Sequence, residues 1–210
     1  MRILGLTGSI GMGKTTAARA LRRLGVPVHD SDASVHRLVA AGGAAVPAIA
    51  AAFPGTVRDG AVDRAALGDM VFADAHALRR LETILHPLVR REEGRFLRRW
   101  ARARVPVVAL DIPLLLETGS ERRCDLVVAV TAPPFLQAQR VLRRPGMTVE
   151  RLIAIRAHQM GEAEKRRRAD ILIPTGRGRG PALRDLIRAV TLLKTRPAGA
   201  WPPVPHPRWS

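Results

Sequence analysis

The sequence predicts an α/β fold of three layers: a five-stranded parallel sheet with helices on both faces, interrupted by one long helical insertion. Three observations carry this. Short apolar runs rich in β-branched residues alternate with amphipathic stretches, the pattern of strands covered on both faces and joined by crossover helices. The first run, "RILGLTG" at 2–8, opens into a glycine-rich loop and then an alanine-rich helix. The text from 33 to 104 is mostly helical and too long for an ordinary crossover, so it is expected to bind something of its own.

Each element has its own signal. After the loop, "TTAARALRRLG" places Ala17, Ala20, Leu21 and Leu24 on one stripe and Gly25 where a helix can end. "VPVHD" at 26–30 is a short strand running into acidic residues. Inside the insertion, "PGTVRDGAVD" at 54–63 reads as a loop or small hairpin, and Pro87 is expected to begin or kink a helix. "VPVVALDI" at 105–112 and "DLVVAVTA" at 125–132 are two more buried strands. Helical segments follow around 135–144, 148–158 and 161–168, then a fifth strand, "DILIP" at 170–174, and a last helix over 181–193. The tail "RPAGAWPPVPHPRWS", from 196 to 210, is Pro-rich and aperiodic and is expected to be disordered.

Composition bounds the function. Hydrophobic residues make up 47% of the 210, enough for a sizeable core, and no apolar run approaches the ~20 residues of a membrane span. The N-terminus carries one arginine and reaches glycine too early for a secretory signal. The single cysteine, Cys124, cannot form an internal disulfide and reads as a small apolar residue in a reducing compartment. The expectation is a cytoplasmic chain with no membrane partner, a monomer or weak homo-oligomer. A net charge of +17 fits a proteome-wide arginine bias, polyanionic small-molecule ligands or nucleic acid. Nucleic acid is disfavoured, because the arginines are dispersed and no aromatic residues interleave with them.

In a doubly wound sheet, ligands bind beyond the carboxyl ends of the strands. That directs attention to 8–16, 30–32, 111–117 and the segments after 132 and 174. Gly8-Ser9-Ile10-Gly11-Met12-Gly13-Lys14-Thr15 fits G-x-x-x-x-G-K-[ST] at every fixed position, the pattern of a phosphate-binding P-loop. Its glycines let successive N–H groups turn inward toward an anion, and the next helix adds its N-terminal dipole. Lys14 can reach β- and γ-phosphates, and the Thr15 hydroxyl can ligate a nucleotide-borne Mg²⁺. Only three lysines occur in the chain, so one at this position stands out.

Two acidic sites keep two readings each. In Asp30-Ser31-Asp32, a carboxylate can take the proton of an attacking hydroxyl, or the same residue types can cap a helix. Asp111 can hold Mg²⁺ through water, or open the turn before Pro113. Over 137–170, Arg140, Arg143, Arg144, Arg156 and Lys165 form either a cationic lid over phosphates or a solvated basic face. His86 alone reads as a packing or capping residue. The sequence has no HExxH, no cysteine pair and no histidine cluster, hence no protein-built transition-metal site.

The P-loop, the Asp-x-Asp after the second strand, "LHPLVR" at 85–90, "DIPLLLET" at 111–118, and Gln159 and Lys165 in "RAHQMGEAEKRRRADILI" occur in a fixed order. Together they closely resemble the dephospho-CoA kinase family, from about residue 2 to 193. The resemblance implies a P-loop NTPase fold and ATP-dependent phosphorylation of the ribose 3′-hydroxyl of dephospho-CoA, the final step of coenzyme A biosynthesis, with ATP and Mg²⁺. It implies a nucleotide-binding core (1–32, 105–134 and 169–195), a helical acceptor domain (33–104) and a lid (135–168). By the match, the loop from Gly8 through Gly11, Met12, Gly13, Lys14, Thr15 and Thr16 would hold ATP. Asp32 would be the general base, and Arg140 a lid residue near the phosphates. His86 and Arg90, with Pro113, Leu114, Leu115 and Glu117, would form the acceptor site. Another small P-loop nucleotide or metabolite kinase is the alternative. One departure stands out: where many members have an Asn-x-Gly-like turn after the last strand, this chain reads Pro174-Thr175-Gly176, which leaves the adenine side unassigned.

Overall fold

The apolar runs become strands, five of them in one sheet and two in a separate hairpin. In chain order they are β1 (Arg2–Thr7), β2 (Val28–Asp30), the short β3 (Val57–Arg58) and β4 (Ala61–Val62), β5 (Val107–Asp111), β6 (Leu126–Thr131) and β7 (Ile171–Pro174). The helices are α1 (Lys14–Arg23), α2 (Ser31–Val39), α3 (Val46–Ala52), α4 (Arg64–Phe72) and α5 (Ala75–Arg102). They continue with α6 (Pro134–Leu142), α7 (Val149–Ala157), α8 (Glu162–Arg168) and α9 (Arg179–Thr195). This computed structural model describes residues 1–72, 74–157, 159–199 and 201. The five-stranded parallel sheet has the order β2-β5-β1-β6-β7, so β1 is central and the glycine-rich loop leaves from the middle of the sheet. Leu4 stands opposite Ala109 on one side and Leu126 on the other.

Both faces of the sheet are buried, and strand alternation explains why these runs are apolar throughout. Leu126, Val128 and Val130 of β6 join Leu4, Leu6, Leu21, Leu186 and Leu193 in the main core under α1 and α9. Val127, between them, turns to the other face and packs with Leu115 and Leu116. Each such side chain contributes roughly 1.5–3 kcal/mol of burial. Cys124 sits in that second cluster, as the small apolar residue the sequence predicts. A Cβ built at Gly5 would lie 2.7 Å from its Sγ, so β1 and this turn meet at van der Waals distance.

The chain divides into two compact units, one of Met1–His29 with the chain from Trp100 onward, the other of Asp30–Arg99. The second has its own core of Leu38, Val39, Ile49, Phe53 and Leu67, backed by Leu81, Ile84, Leu85 and Leu88 of α5. The expected turn at 54–63 is a hairpin, β3 pairing antiparallel with β4. Pro87 does not begin a helix: α5 starts twelve residues before it, at Ala75, and continues past it to Arg102. Pro87 is exposed while the apolar stripe on either side of it is anchored in the core, and that packing offsets the ~3 kcal/mol an interior proline costs.

Of the tail expected to be disordered, the first residues are tied down. Arg196 Nη1 donates to the Asp125 carbonyl at 3.0 Å, and Gly199 N–H donates to Asp125 Oδ1 at 2.8 Å. Residues 202–210, with Trp209, lie outside the described residues. Among the described residues, no helix is long and apolar enough to cross a membrane.

Candidate active site

The loop between β1 and α1 has the backbone that its glycines were expected to allow. Gly11 and Gly13 have φ of 75° and 95°, in the left-handed region that favours glycine. A Cβ at Gly11 would stand 2.6 Å from Val141 Cγ2 and 3.0 Å from the Gln137 carbonyl oxygen, so the loop fits tightly onto α6. Helix α1 starts at Lys14 with no acidic residue in its first turn and no side-chain cap, which leaves its positive end available to an anion. Thr15 and Thr16, in that turn, are exposed.

Lys14 Nζ lies 2.7 Å from Asp111 Oδ1. Asp111 is the last residue of β5 and only 3% exposed, so the carboxylate is held where the strand ends beside the phosphate loop. The same neighbourhood is fixed by Thr7, whose hydroxyl donates to the Pro113 carbonyl at 2.9 Å.

The two aspartates after β2 separate. Asp30 is the N-cap of α2, accepting the Ala33 N–H at 3.0 Å. Asp32 lies in the first turn of that helix, exposed, where it faces no such demand. In the same unit, His86 and Arg90 stand one turn apart on α5, both exposed and so on a shared face. Pro113 is half-buried and Leu114 is 39% exposed.

Leu115 differs from its expected part in an acceptor surface: its side chain is 0% exposed, anchored with Leu116 and Val127, and so supports the turn from beneath. Glu117 also points inward. Its Oε1 accepts from Lys165 Nζ at 3.0 Å and from the Met160 N–H at 3.0 Å. Burial alone would push this carboxyl up, and those hydrogen bonds more than reverse the effect, leaving it below its ordinary value. Lys165 is therefore no lid cation. It is 1% exposed, and besides Glu117 it donates to Ser9 Oγ at 2.9 Å.

Arg140, the expected lid arginine, donates from Nη1 to the Gly11 carbonyl at 3.3 Å and to Thr175 Oγ1 at 2.9 Å, and from Nη2 to the Thr175 carbonyl at 3.1 Å. Arg156 donates to Gln137 Oε1, whose Nε2 donates to the Ile10 carbonyl at 2.8 Å. Arg143 and Arg144 are exposed. Thr175, in the departing turn, donates to the Met12 carbonyl at 2.7 Å, and a Cβ at Gly13 would stand 3.1 Å from its Oγ1. Sequence reasoning pointed to the stretches holding Ser9 and Thr175 but assigned neither a role, and it missed Gln137. Position beyond the last parallel strand was the signal for Thr175; Ser9 and Gln137 occupy unconstrained positions and had none of their own.

Residues 2–177 match the CoaE dephospho-CoA kinase family. The chain belongs to it. A protein named dephospho-CoA kinase in Paramagnetospirillum magneticum is 68% identical over 166 residues, covering 79% of this chain and 78% of that one. Another of that name in Rhodospirillum rubrum is 58% identical over 195 residues, 92% of each chain. A crystal structure from Thermus thermophilus superposes with a TM-score of 0.81 at 37% identity, covering 91% of this chain and 96% of the other. Dephospho-CoA kinases are phosphotransferases with an alcohol acceptor that use ATP and Mg²⁺. The residues present fit that pair: a left-handed glycine loop leading into an uncapped helix suits phosphates, and the exposed Thr15 hydroxyl with the Asp111 carboxylate is an oxygen donor set suited to Mg²⁺.

Proposed function

We propose that this chain transfers the γ-phosphoryl group of ATP to the ribose 3′-hydroxyl of dephospho-CoA, with Asp32 as the general base. The Lys14–Asp111 pair carries the kinase reading: a 2.7 Å contact between the loop's ammonium and a strand-end carboxylate joins the phosphate-binding and metal-side groups in one place. Lys14 orients β- and γ-phosphate oxygens and neutralises charge on them. Thr15 and Asp111 would hold Mg²⁺, Asp111 through water. Bound there, Mg²⁺ would supply further neutralisation of phosphate charge. Asp32 accepts the proton of the attacking hydroxyl, a role for which its exposed, uncapping position leaves it available. His86, Arg90, Pro113 and Leu114 bind the acceptor, Arg90 through its charge, and Arg140 acts near the phosphates from the lid.

ADP release measured against dephospho-CoA, AMP, dTMP, shikimate and single-stranded DNA tests the substrate. Turnover is expected with dephospho-CoA alone. Stimulation by another small acceptor would make the chain a different metabolite kinase, and stimulation by DNA would reverse the expectation that this basic, cytoplasmic chain has no nucleic-acid partner.

A further inference from the structure

Two of the chain's three lysines lie beside the phosphate loop, and only Lys14 belongs to the loop's own pattern. Lys165 reaches the loop from outside, from α8, with its side chain 1% exposed. Its ammonium donates to Ser9 Oγ at 2.9 Å and pairs with Glu117 Oε1 at 3.0 Å, and Ser9 in turn donates to Glu162 Oε1 at 2.7 Å. The next residue is held in the same way. Ile10 N–H donates to Gln159 Oε1 at 3.2 Å, and its carbonyl accepts from Gln137 Nε2 at 2.8 Å. The unconstrained half of the loop, Ser9-Ile10, is thus gripped by side chains from the segment expected to act as a lid.

Stability alone does not account for a buried ammonium here. Removing two ions from water is expensive, and a well-packed apolar pair of similar volume is commonly as stable. An apolar pair would have no donor for Ser9. We propose that Lys165 is a positioning residue for phosphoryl transfer. Through Ser9 it fixes the entry to the glycine turn, so that the following N–H groups and Lys14 are already aimed when the triphosphate arrives. Glu117 holds the ammonium in place. The inference rests on the loop being a working ATP site, and it adds a role for residues outside the loop's pattern. It also gives the turn after β5 a mechanical link to the phosphate loop, since Glu117 belongs to that turn and Lys165 bridges the two.

The test is direct binding of a non-hydrolysable ATP analogue with Mg²⁺, by calorimetry, alongside thermal melting and steady-state kinetics. Three variants are compared with wild type: Ser9→Ala, the apolar pair Lys165→Met with Glu117→Leu, and Lys194→Met, an exposed residue of α9, as a control. Ser9→Ala and the double variant are expected to melt within a few degrees of wild type. Both should bind the analogue about tenfold more weakly, the scale of one hydrogen bond to a charged group. Their KM for dephospho-CoA should change less than their KM for ATP in Ser9→Ala, where Glu117 is intact. Lys194→Met should match wild type throughout. If the double variant melts normally and binds the analogue like wild type, Lys165 is only structural and the inference fails. If Ser9→Ala alone binds normally, the link through Ser9 is wrong. If wild type itself binds no analogue, the ATP site falls and this inference with it.

Discussion

Lys14 Nζ stands 2.7 Å from Asp111 Oδ1, so the loop's ammonium and the strand-end carboxylate meet in one place. A compact ammonium can exchange this one acceptor for phosphate oxygens inside a tight glycine turn. A guanidinium is a broad planar fork with a fixed donor geometry and cannot make the same exchange. In a chain whose positive charge is almost all arginine, that difference is testable. Lys14→Ala should cut turnover by at least about a hundredfold, the scale of one lost electrostatic donor to the transferring group. Lys14→Arg should fail nearly as badly. The measurement is ADP release at saturating dephospho-CoA, and near-normal turnover in the arginine variant would mean that position 14 needs only a charge.

The separation of Asp30 from Asp32 makes a paired prediction. Asp32→Asn should leave ATP affinity largely intact while lowering kcat by at least about a hundredfold, as expected for loss of a general base. Asp30→Ala should act on stability instead. It removes the cap of α2, costing about 1 kcal/mol of stability, and changes the chemical step less. Melting temperature, ATP affinity and kcat, measured on both variants, separate the roles. A collapse of affinity with a surviving rate in Asp32→Asn would assign that residue to binding.

How much of this was legible in the sequence depends on whether the deciding interaction is local. The five strands and the phosphate loop are readable because β-branched runs and fixed glycine spacings express local backbone geometry and two-sided burial. Spacing alone leaves cap and base open for Asp30 and Asp32, since the same residue types serve both; the family resemblance points to Asp32, and the hydrogen bond from the Ala33 N–H makes Asp30 the cap of α2. Lys165 looks like one more charge in "EKRRR", and only its distant partners Ser9 and Glu117 turn it inward. In "PLLLE" the irregular turn has no period to tell exposed Leu114 from buried Leu115. Pro87 fails to start a helix for the converse reason: the penalty it carries is local, and the packing that offsets it comes from elsewhere in the chain.

Glu117 gives a pH dependence with a definite sign. Hydrogen bonds from Lys165 and the Met160 N–H outweigh its burial and hold its folded value below the ordinary 4.5. A group lowered on folding contributes stability that is fully present above its unfolded value and is lost as pH falls through the folded one. Urea midpoints should therefore be steady on this account above about pH 4.5 and decline below it. Glu117→Gln should be less stable near neutrality and show a shallower acid decline. An equally steep decline in the variant would place the acid sensitivity in other carboxylates.

Thr175 holds the back of the phosphate loop to Arg140. Its hydroxyl accepts from Arg140 Nη1 at 2.9 Å and donates to the Met12 carbonyl at 2.7 Å, so one small side chain joins the loop, the turn after β7 and Arg140. Thr175→Val keeps the shape and removes the hydroxyl, leaving Arg140 with the carbonyls of Gly11 and Thr175. Losing a hydrogen bond to a charged group at this position should lower kcat about tenfold. The KM for dephospho-CoA should be nearly unchanged, because no part of the expected acceptor surface is touched. Thr175→Ser, which restores the hydroxyl without the methyl, should recover most of the rate. If the valine variant turns over normally, the two carbonyls suffice to place Arg140, and the threonine in this turn is a packing residue against Gly13, where a Cβ would approach it to 3.1 Å.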